Sequence, residues 1–284
     1  MHSHRHSPFV AFLFFVFLTF SAGAFAQGLT VRSPHGLNGP VYHLFESESL
    51  GRPFHVFVRL PADYETTTRK WPVVYLLDGG HTFPMLAGYS SYLVMAGDML
   101  DMIVVGLSYG TNDWRKGNLR STDFTAPAQN RDHYGGAGRF LDFLKSELLP
   151  FMEGRYEIDP DQRVLFGQSL GGQFVLYTAL HEPKLFQGMI ASNPALHRNL
   201  DYFLKPKASA EPGSGRLFVS SGTKDDPRFR GPTAEWIQVW VGRADLPWTL
   251  KVVDLPGQNH FSAAPEAYRL GLKWIFAGRV TDNE

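Results

Sequence analysis

The chain has 284 residues, 44% hydrophobic and 19% charged, with 27 basic and 27 acidic side chains and no cysteine. This is globular composition, long enough to bury a sizeable core without disulfide staples. The even charge balance excludes a polyanion-binding surface and, with it, nucleic acid as a partner.

Residues 1–26 read as a signal peptide. Arg5 supplies a positive start, Phe9 to Phe20 is an apolar run interrupted only by Thr19, and Ala24-Phe25-Ala26 is an Ala-x-Ala cleavage site. The run is short for a bilayer span. The expectation is therefore cleavage after Ala26, no stable membrane insertion afterwards, and a periplasmic or secreted protein. His2, His4 and His6 fall in the removed piece and are not read as a metal site. Removing 26 of the 284 residues leaves 258, which suits one α/β domain over 27–284.

Val41 to Phe45 and Phe54 to Leu60 flank a polar turn containing Gly51, the pattern of an antiparallel hairpin. Six short apolar runs then read as fully buried strands: Val73–Leu77, Met102–Val105, Arg163–Phe166, Met189–Ala191, Leu217–Val219 and Leu250–Val253. Helices are predicted between them. Gly138 to Met152 places Phe140, Leu144 and Leu148 on one face, and Gly172 to Leu180 ends before Pro183. Thr233 to Val241 carries Trp236, Ile237 and Trp240, and Pro265 to Phe276 carries Tyr268, Leu272 and Ile275. Aromatic residues at such spacing are read as core. Strands alternating with helices after a hairpin predict a mostly parallel sheet covered on both faces, with no repeat or linker.

Gly167-Gln168-Ser169-Leu170-Gly171 is a Gly-x-Ser-x-Gly segment between the run ending at Phe166 and a predicted helix. Strand, sharp turn and helix are the context in which this motif exposes a serine nucleophile. The helix start also directs its amides at the site where negative charge develops. Serine needs a base oriented by an acid. In a parallel sheet both are sought in loops that follow strands. His260 lies in such a loop, after Leu250–Val253, whereas His181 is on the nucleophile's own helix and His197 lies past Pro194. For the acid, Asp225 is preferred because Gly222, three residues earlier, permits a sharp turn out of the strand. Asp226 is left to solvent or to a cap ahead of Pro227, and Glu235 is the other competitor. The order Ser, Asp, His is that of an α/β-hydrolase. Two backbone donors for an oxyanion are expected at Leu170 and at Gly80, in the Leu77-Asp78-Gly79-Gly80-His81 turn.

Tyr75-Leu76-Leu77-Asp78-Gly79, Arg120-Ser121-Thr122-Asp123-Phe124-Thr125, Phe140-Leu141-Asp142-Phe143-Leu144 and Gly167-Gln168-Ser169-Leu170-Gly171-Gly172 carry a resemblance. So do Leu50-Gly51-Arg52 and Leu60-Pro61-x-x-Tyr64. Together they resemble the putative-esterase group of α/β-hydrolases, which includes esterases of iron-bound catecholate siderophores and is related to esterase D and feruloyl esterases. The likeness runs from about Val41 to the C-terminus. It implies Ser169 as nucleophile, His260 as base and Asp78-Gly79-Gly80 as oxyanion loop. It also implies that Arg120 and Asp123 form a structural or substrate-side pair near the site. The chain departs from the group at Ser192-Asn193-Pro194-Ala195-Leu196, where relatives carry Ser-Pro-Ser-Leu followed by tryptophans that help shape the siderophore pocket.

The expected function is a serine carboxylic ester hydrolase working through an acyl-enzyme, with siderophore or aromatic-acid esters as the preferred class. No metal or organic cofactor is implied, and the partner is a small-molecule ester. An acyltransferase using the same serine and histidine is the alternative, and a non-catalytic binding protein on the hydrolase fold is a third reading. Trp114, Arg115, Lys116 and Arg120, in the loop after Met102–Val105, are expected to face the entering substrate, a cationic and aromatic set suited to an anionic or aromatic ester.

Overall fold

The computed structural model describes residues 39–206 and 215–278. The predicted signal peptide and both ends of the 27–284 domain therefore lie outside the described residues.

Strands β1 (Val41–Ser47) and β2 (Arg52–Arg59) form the expected hairpin, antiparallel with Val41 opposite Val58, and Gly51 turns between them at φ 63°. In β2, Phe54, Val56 and Val58 are buried and alternate with half-buried neighbours, as in a strand with one face on the core. β3 (Trp71–Leu76), β4 (Ile103–Ser108), β5 (Ile158–Gln168), β6 (Gly188–Ser192), β7 (Arg216–Gly222) and β8 (Thr249–Leu255) complete an eight-stranded sheet in the order β1-β2-β4-β3-β5-β6-β7-β8. From β4 to β8 every pairing is parallel, while β2 joins β4 antiparallel.

The helices lie on both faces. α1 (Gly79–Met95) and, near the C-terminus, α8 (Ala263–Ile275) cover Val74, Leu76, Val104, Val164 and Phe166. The opposite face buries Val73, Tyr75, Val105 and Leu165 with Phe140, Phe174, Trp236 and Trp240. Those aromatics come from α3 (Ala137–Phe143), α5 (Leu170–His181) and α7 (Pro227–Val241). The order is completed by α2 (Arg120–Asp123), α4 (Leu149–Glu153) and α6 (Leu200–Phe203). Adjacent strand residues thus feed opposite layers, which is why the central strands are apolar throughout. Each fully buried aliphatic or phenylalanine side chain contributes roughly 1.5–3 kcal/mol.

Four elements differ from expectation. The strand at Leu250–Val253, expected to be fully buried, is the edge strand β8, exposed or half-buried from Thr249 to Asp254. The turn at Leu77–His81 opens directly into α1, a helix that Gly79, Gly80 and Pro84 disguise because they read as breakers. The helix expected over Gly138–Met152 passes through a π-helical turn, Leu144–Leu148, between α3 and α4. α7 starts at Pro227 rather than Thr233, because proline suits the first helical turn and Asp226 caps it by accepting from the Arg228 amide at 2.9 Å. Among the described residues no helix is long and apolar enough to cross a membrane.

Candidate active site

Because β3 to β8 run in one direction, their carboxyl ends share one edge of the sheet, where ligands gather. Asp78 to Gly80 follow β3, Ser169 follows β5, Asp225 follows β7 and His260 follows β8. All six of Asp78, Gly80, Arg120, Ser169, Asp225 and His260 line one open cleft of about 930 Å³.

Ser169 has φ 59° and ψ −118°, a conformation that costs about 1–3 kcal/mol and persists only when its surroundings impose it. Here its amide donates to the Ser192 carbonyl at 3.0 Å, and its own carbonyl accepts from Gln173 and Ala195 at 2.9 and 3.0 Å. Gly167 is required by contact: a Cβ there would lie 2.3 Å from the Gly171 carbonyl oxygen. The turn therefore presents Ser169 at the N-terminus of α5.

The His260 ring stacks on Phe229, with centroids 4.1 Å apart and planes 21° from parallel. Its Nδ1 sits 3.0 and 3.1 Å from the two carboxylate oxygens of Asp225. A proton on Nδ1 leaves Nε2 as the proton acceptor of the neutral ring. The Gln168 side-chain amide donates to the His260 carbonyl, which ties the histidine loop to the residue before Ser169.

The Asp225 carboxylate is buried, with 1% of the side chain exposed. A buried charge has to be paired and hydrogen-bonded. Besides His260, Oδ1 accepts from the Asp226 amide and Oδ2 from Asn193 Nδ2, both at 2.7 Å. Asp226 itself is the cap of α7, and Glu235 is exposed in the middle of that helix, away from the cleft. Gly222 serves a different purpose from the one expected. Its φ is not positive; instead a Cβ there would meet the Gln258 carbonyl oxygen at 2.4 Å, so glycine lets the histidine loop pack against the end of β7.

Gly80 and Leu170 both stand in the first turn of a helix, where backbone N–H groups lack an intrahelical acceptor. The two helix starts adjoin, since a Cβ on Gly171 would lie 3.5 Å from both Asp78 Oδ2 and Leu77 Cβ. Two amide-rich ends thus meet beside Ser169, a place suited to negative charge.

Arg120 and Asp123 do not pair with each other. The Arg120 Nε and Nη2 donate to the two oxygens of Asp78 at 2.7 and 2.8 Å. Burial works against the guanidinium charge, but the Asp78 carboxylate outweighs it and holds Arg120 above its ordinary pKa. Asp123 instead accepts from Arg52 at 2.5 Å and from the Tyr109 hydroxyl at 2.7 Å. Burial raises the Asp123 pKa, with Arg52 opposing it, and burial followed by the Asp123 charge pushes Tyr109 well up. Both acids therefore found partners from distant segments, which local spacing could not reveal. Trp114, Arg115 and Lys116 form an exposed 3-10 turn that does not line the cleft; the cationic lining residues besides Arg120 are Lys224 and Arg228.

Asn193, Gln168 and Phe229 were not anticipated. Asn193 follows β6 at the same sheet edge as the other site residues, and that position was its only signal.

A profile of the putative esterase family matches residues 47–274. The ferri-bacillibactin esterase BesA of Bacillus subtilis is 30% identical over 181 residues, 59% of this chain and 62% of that protein. The apo-salmochelin esterase of Escherichia coli is 26% identical over 189 residues, 61% of this chain and 58% of its own length. The chain thus spans about three fifths of these curated relatives. The crystal structure of the BES protein from Bacillus cereus superimposes with a TM-score of 0.69 at 22% identity, covering 84% of this chain and 95% of that one, a likeness of fold. The α/β-hydrolase architecture and the family profile, which takes in the whole sheet edge from β3 to His260, agree: the chain belongs to the putative esterase family.

Proposed function

We propose that this protein is an exported serine esterase that acts through an acyl-enzyme. The observation that carries the reading is the contact of His260 Nδ1 with both oxygens of buried Asp225, in the cleft that also holds the strained Ser169. Ser169 Oγ attacks the ester carbonyl as His260 Nε2 takes its proton. The Leu170 and Gly80 amides stabilise the oxyanion. His260 then protonates the departing alkoxide, and water repeats the sequence on the acyl-enzyme to release the acid and restore Ser169.

For substrate we propose siderophore or aromatic-acid esters. Support comes from the names of the curated relatives, from a cleft of about 930 Å³ that admits a multi-ring ligand, and from its lining of Phe229, Phe261, Tyr109 and Met85 beside Lys224 and Arg228. The test is turnover of aryl acetates to octanoates, feruloyl esters and catecholate-siderophore esters by the wild type and Ser169→Ala. Ester hydrolysis that falls about 10⁶-fold in Ser169→Ala is expected; retention of more than a few per cent in clean, folded protein overturns the nucleophile. Preference for short aliphatic acyl groups over both aromatic classes overturns the substrate assignment. Export rests on residues 1–26 and is tested by expressing the full chain and sequencing the N-terminus of the product, expected at Gln27.

A further inference from the structure

The Asn193 side chain touches the acid loop, the histidine loop and the end of β7 together. Its Nδ2 donates to Asp225 Oδ2 at 2.7 Å and to the Asn259 carbonyl at 3.4 Å, while its Oδ1 accepts from the Gly222 amide at 3.1 Å. Its own amide donates to the Ser220 carbonyl at 2.9 Å, and its neighbour's carbonyl, that of Ser192, receives the Ser169 amide. The residue is 1% exposed and holds φ 43°, a left-handed conformation that asparagine tolerates better than most residues. Asparagine also supplies a donor and an acceptor at once, which this position uses in full.

We propose that Asn193 is a positioning residue that fixes the Asp225 carboxylate against His260 Nδ1. Two oxygens of Asp225 must serve three donors. The Asp226 amide takes Oδ1 and Asn193 takes Oδ2, and this sets the plane in which both oxygens face the imidazole. Without the Asn193 donor the carboxylate turns about its Cβ–Cγ bond towards the remaining amide, and the histidine loses the geometry that keeps its proton on Nδ1. Removing one partner also leaves a buried oxygen short of a donor, which costs more than the bond itself contributed. The inference rests on the proposed Ser169–His260–Asp225 reading.

The test is a double-mutant cycle with Asn193→Gly, Asp225→Ala and the pair, because glycine keeps the left-handed backbone and removes only the amide. Expected is a kcat for Asn193→Gly at least tenfold below wild type with KM unchanged, and no further loss when it is added to Asp225→Ala. If the glycine variant fails to fold, Asn193→Asp keeps the shape and replaces the donor by an acceptor, and the same loss is expected. Wild-type kcat in a folded variant, or a full multiplicative loss in the Asp225→Ala background, overturns the role. The two readings fail separately: if Asp225→Ala itself turns over at the wild-type rate, the acid assignment is what has failed.

Discussion

Arg120 and Asp78 meet in a two-point clamp, Nε on Oδ1 at 2.7 Å and Nη2 on Oδ2 at 2.8 Å. Asp78 has left-handed backbone, φ 55° and ψ 40°, and caps the N-terminal end of α1. Its carbonyl accepts from the His81 and Thr82 amides, at 2.9 and 3.0 Å, and Gly80 of the same turn lines the cleft. The guanidinium is occupied by this carboxylate, so Arg120 holds the turn that follows β3.

Arg120→Lys keeps the charge and loses the planar fork. We expect kcat to fall about 10–100-fold, the range that a misplacement of roughly 1 Å produces, with KM changed less than twofold for neutral and anionic esters alike. Steady-state kinetics on one ester of each kind decides the matter. A rise in KM confined to the anionic ester returns Arg120 to direct substrate binding.

In the proposed mechanism His260 accepts the Ser169 proton only when neutral. We therefore expect kcat/KM to fall with a single-proton limb on acidification, since the imidazolium has no lone pair to offer. In Asp225→Asn the limb should persist while kcat drops about 10⁴-fold, because an amide at this position favours the wrong tautomer. A pH–rate series on both proteins measures this, and a flat acid limb in the wild type removes His260 as the base.

Lys224 and Arg228 are exposed on the cleft wall beside Asp225, so their attraction for an anion is solvent-screened. Replacing both by Gln should raise KM for an anionic aromatic ester about 3–10-fold and leave neutral aryl acetate unchanged. The difference should vanish near 1 M salt, where the screening length is about 3 Å. Arg115→Gln with Lys116→Gln, outside the cleft, should change neither constant.

Asp98, between α1 and β4, receives Lys273 and, at 3.1 Å, Arg269, both from α8. The Lys273 hydrogen bond leads the effects that hold its carboxyl below the ordinary value of 3.8. A folded-state value below the unfolded one gives stability that is full above the unfolded value and lost as pH falls through the folded one. For a half-buried cluster still reached by solvent, the contribution is about 1 kcal/mol or less. Asp98→Asn should thus lower Tm by about 1–4 °C at pH 7, with the gap closing as pH falls through the lowered folded-state value. A pH-independent gap in scanning calorimetry points to lost packing instead.

The mostly parallel sheet was legible because buried parallel strands must be apolar on both faces, and five such runs are present; the sixth, Leu250–Val253, lies in the edge strand β8. The Gly-x-Ser-x-Gly turn was legible for a local reason as well. Gly167 and Gly171 approach so closely that no other residue fits at Gly167, and a local steric demand leaves a local signature. His260 could be found because a parallel sheet sends its loops to one edge, so that following a strand is itself positional information. α1 was hidden by the two glycines of its first turn and by Pro84. Its amphipathic pattern is weak because one side lies on the sheet and the other lines part of the cleft.

From the sequence alone came the order of the strands, the Gly-x-Ser-x-Gly turn and the loops that carry His260 and Asp225, because periodicity and close glycine contacts are properties of neighbouring residues. Which carboxylate meets His260 was decided only in three dimensions. Asp225 and Asp226 are adjacent and chemically identical; the start of α7 takes Asp226 as its cap and leaves Asp225 facing inward, where Asn193 fixes it. The partners of Arg120 and Asp123 were decided in the same way. Side chains four positions apart or fewer offered themselves to each other, but Asp78 lies 42 residues from Arg120 and Arg52 lies 71 residues from Asp123, brought close by the crossing of β2, β3 and β4. A pairing of that separation depends on where the sheet sets its strands, and no window along the chain contains it.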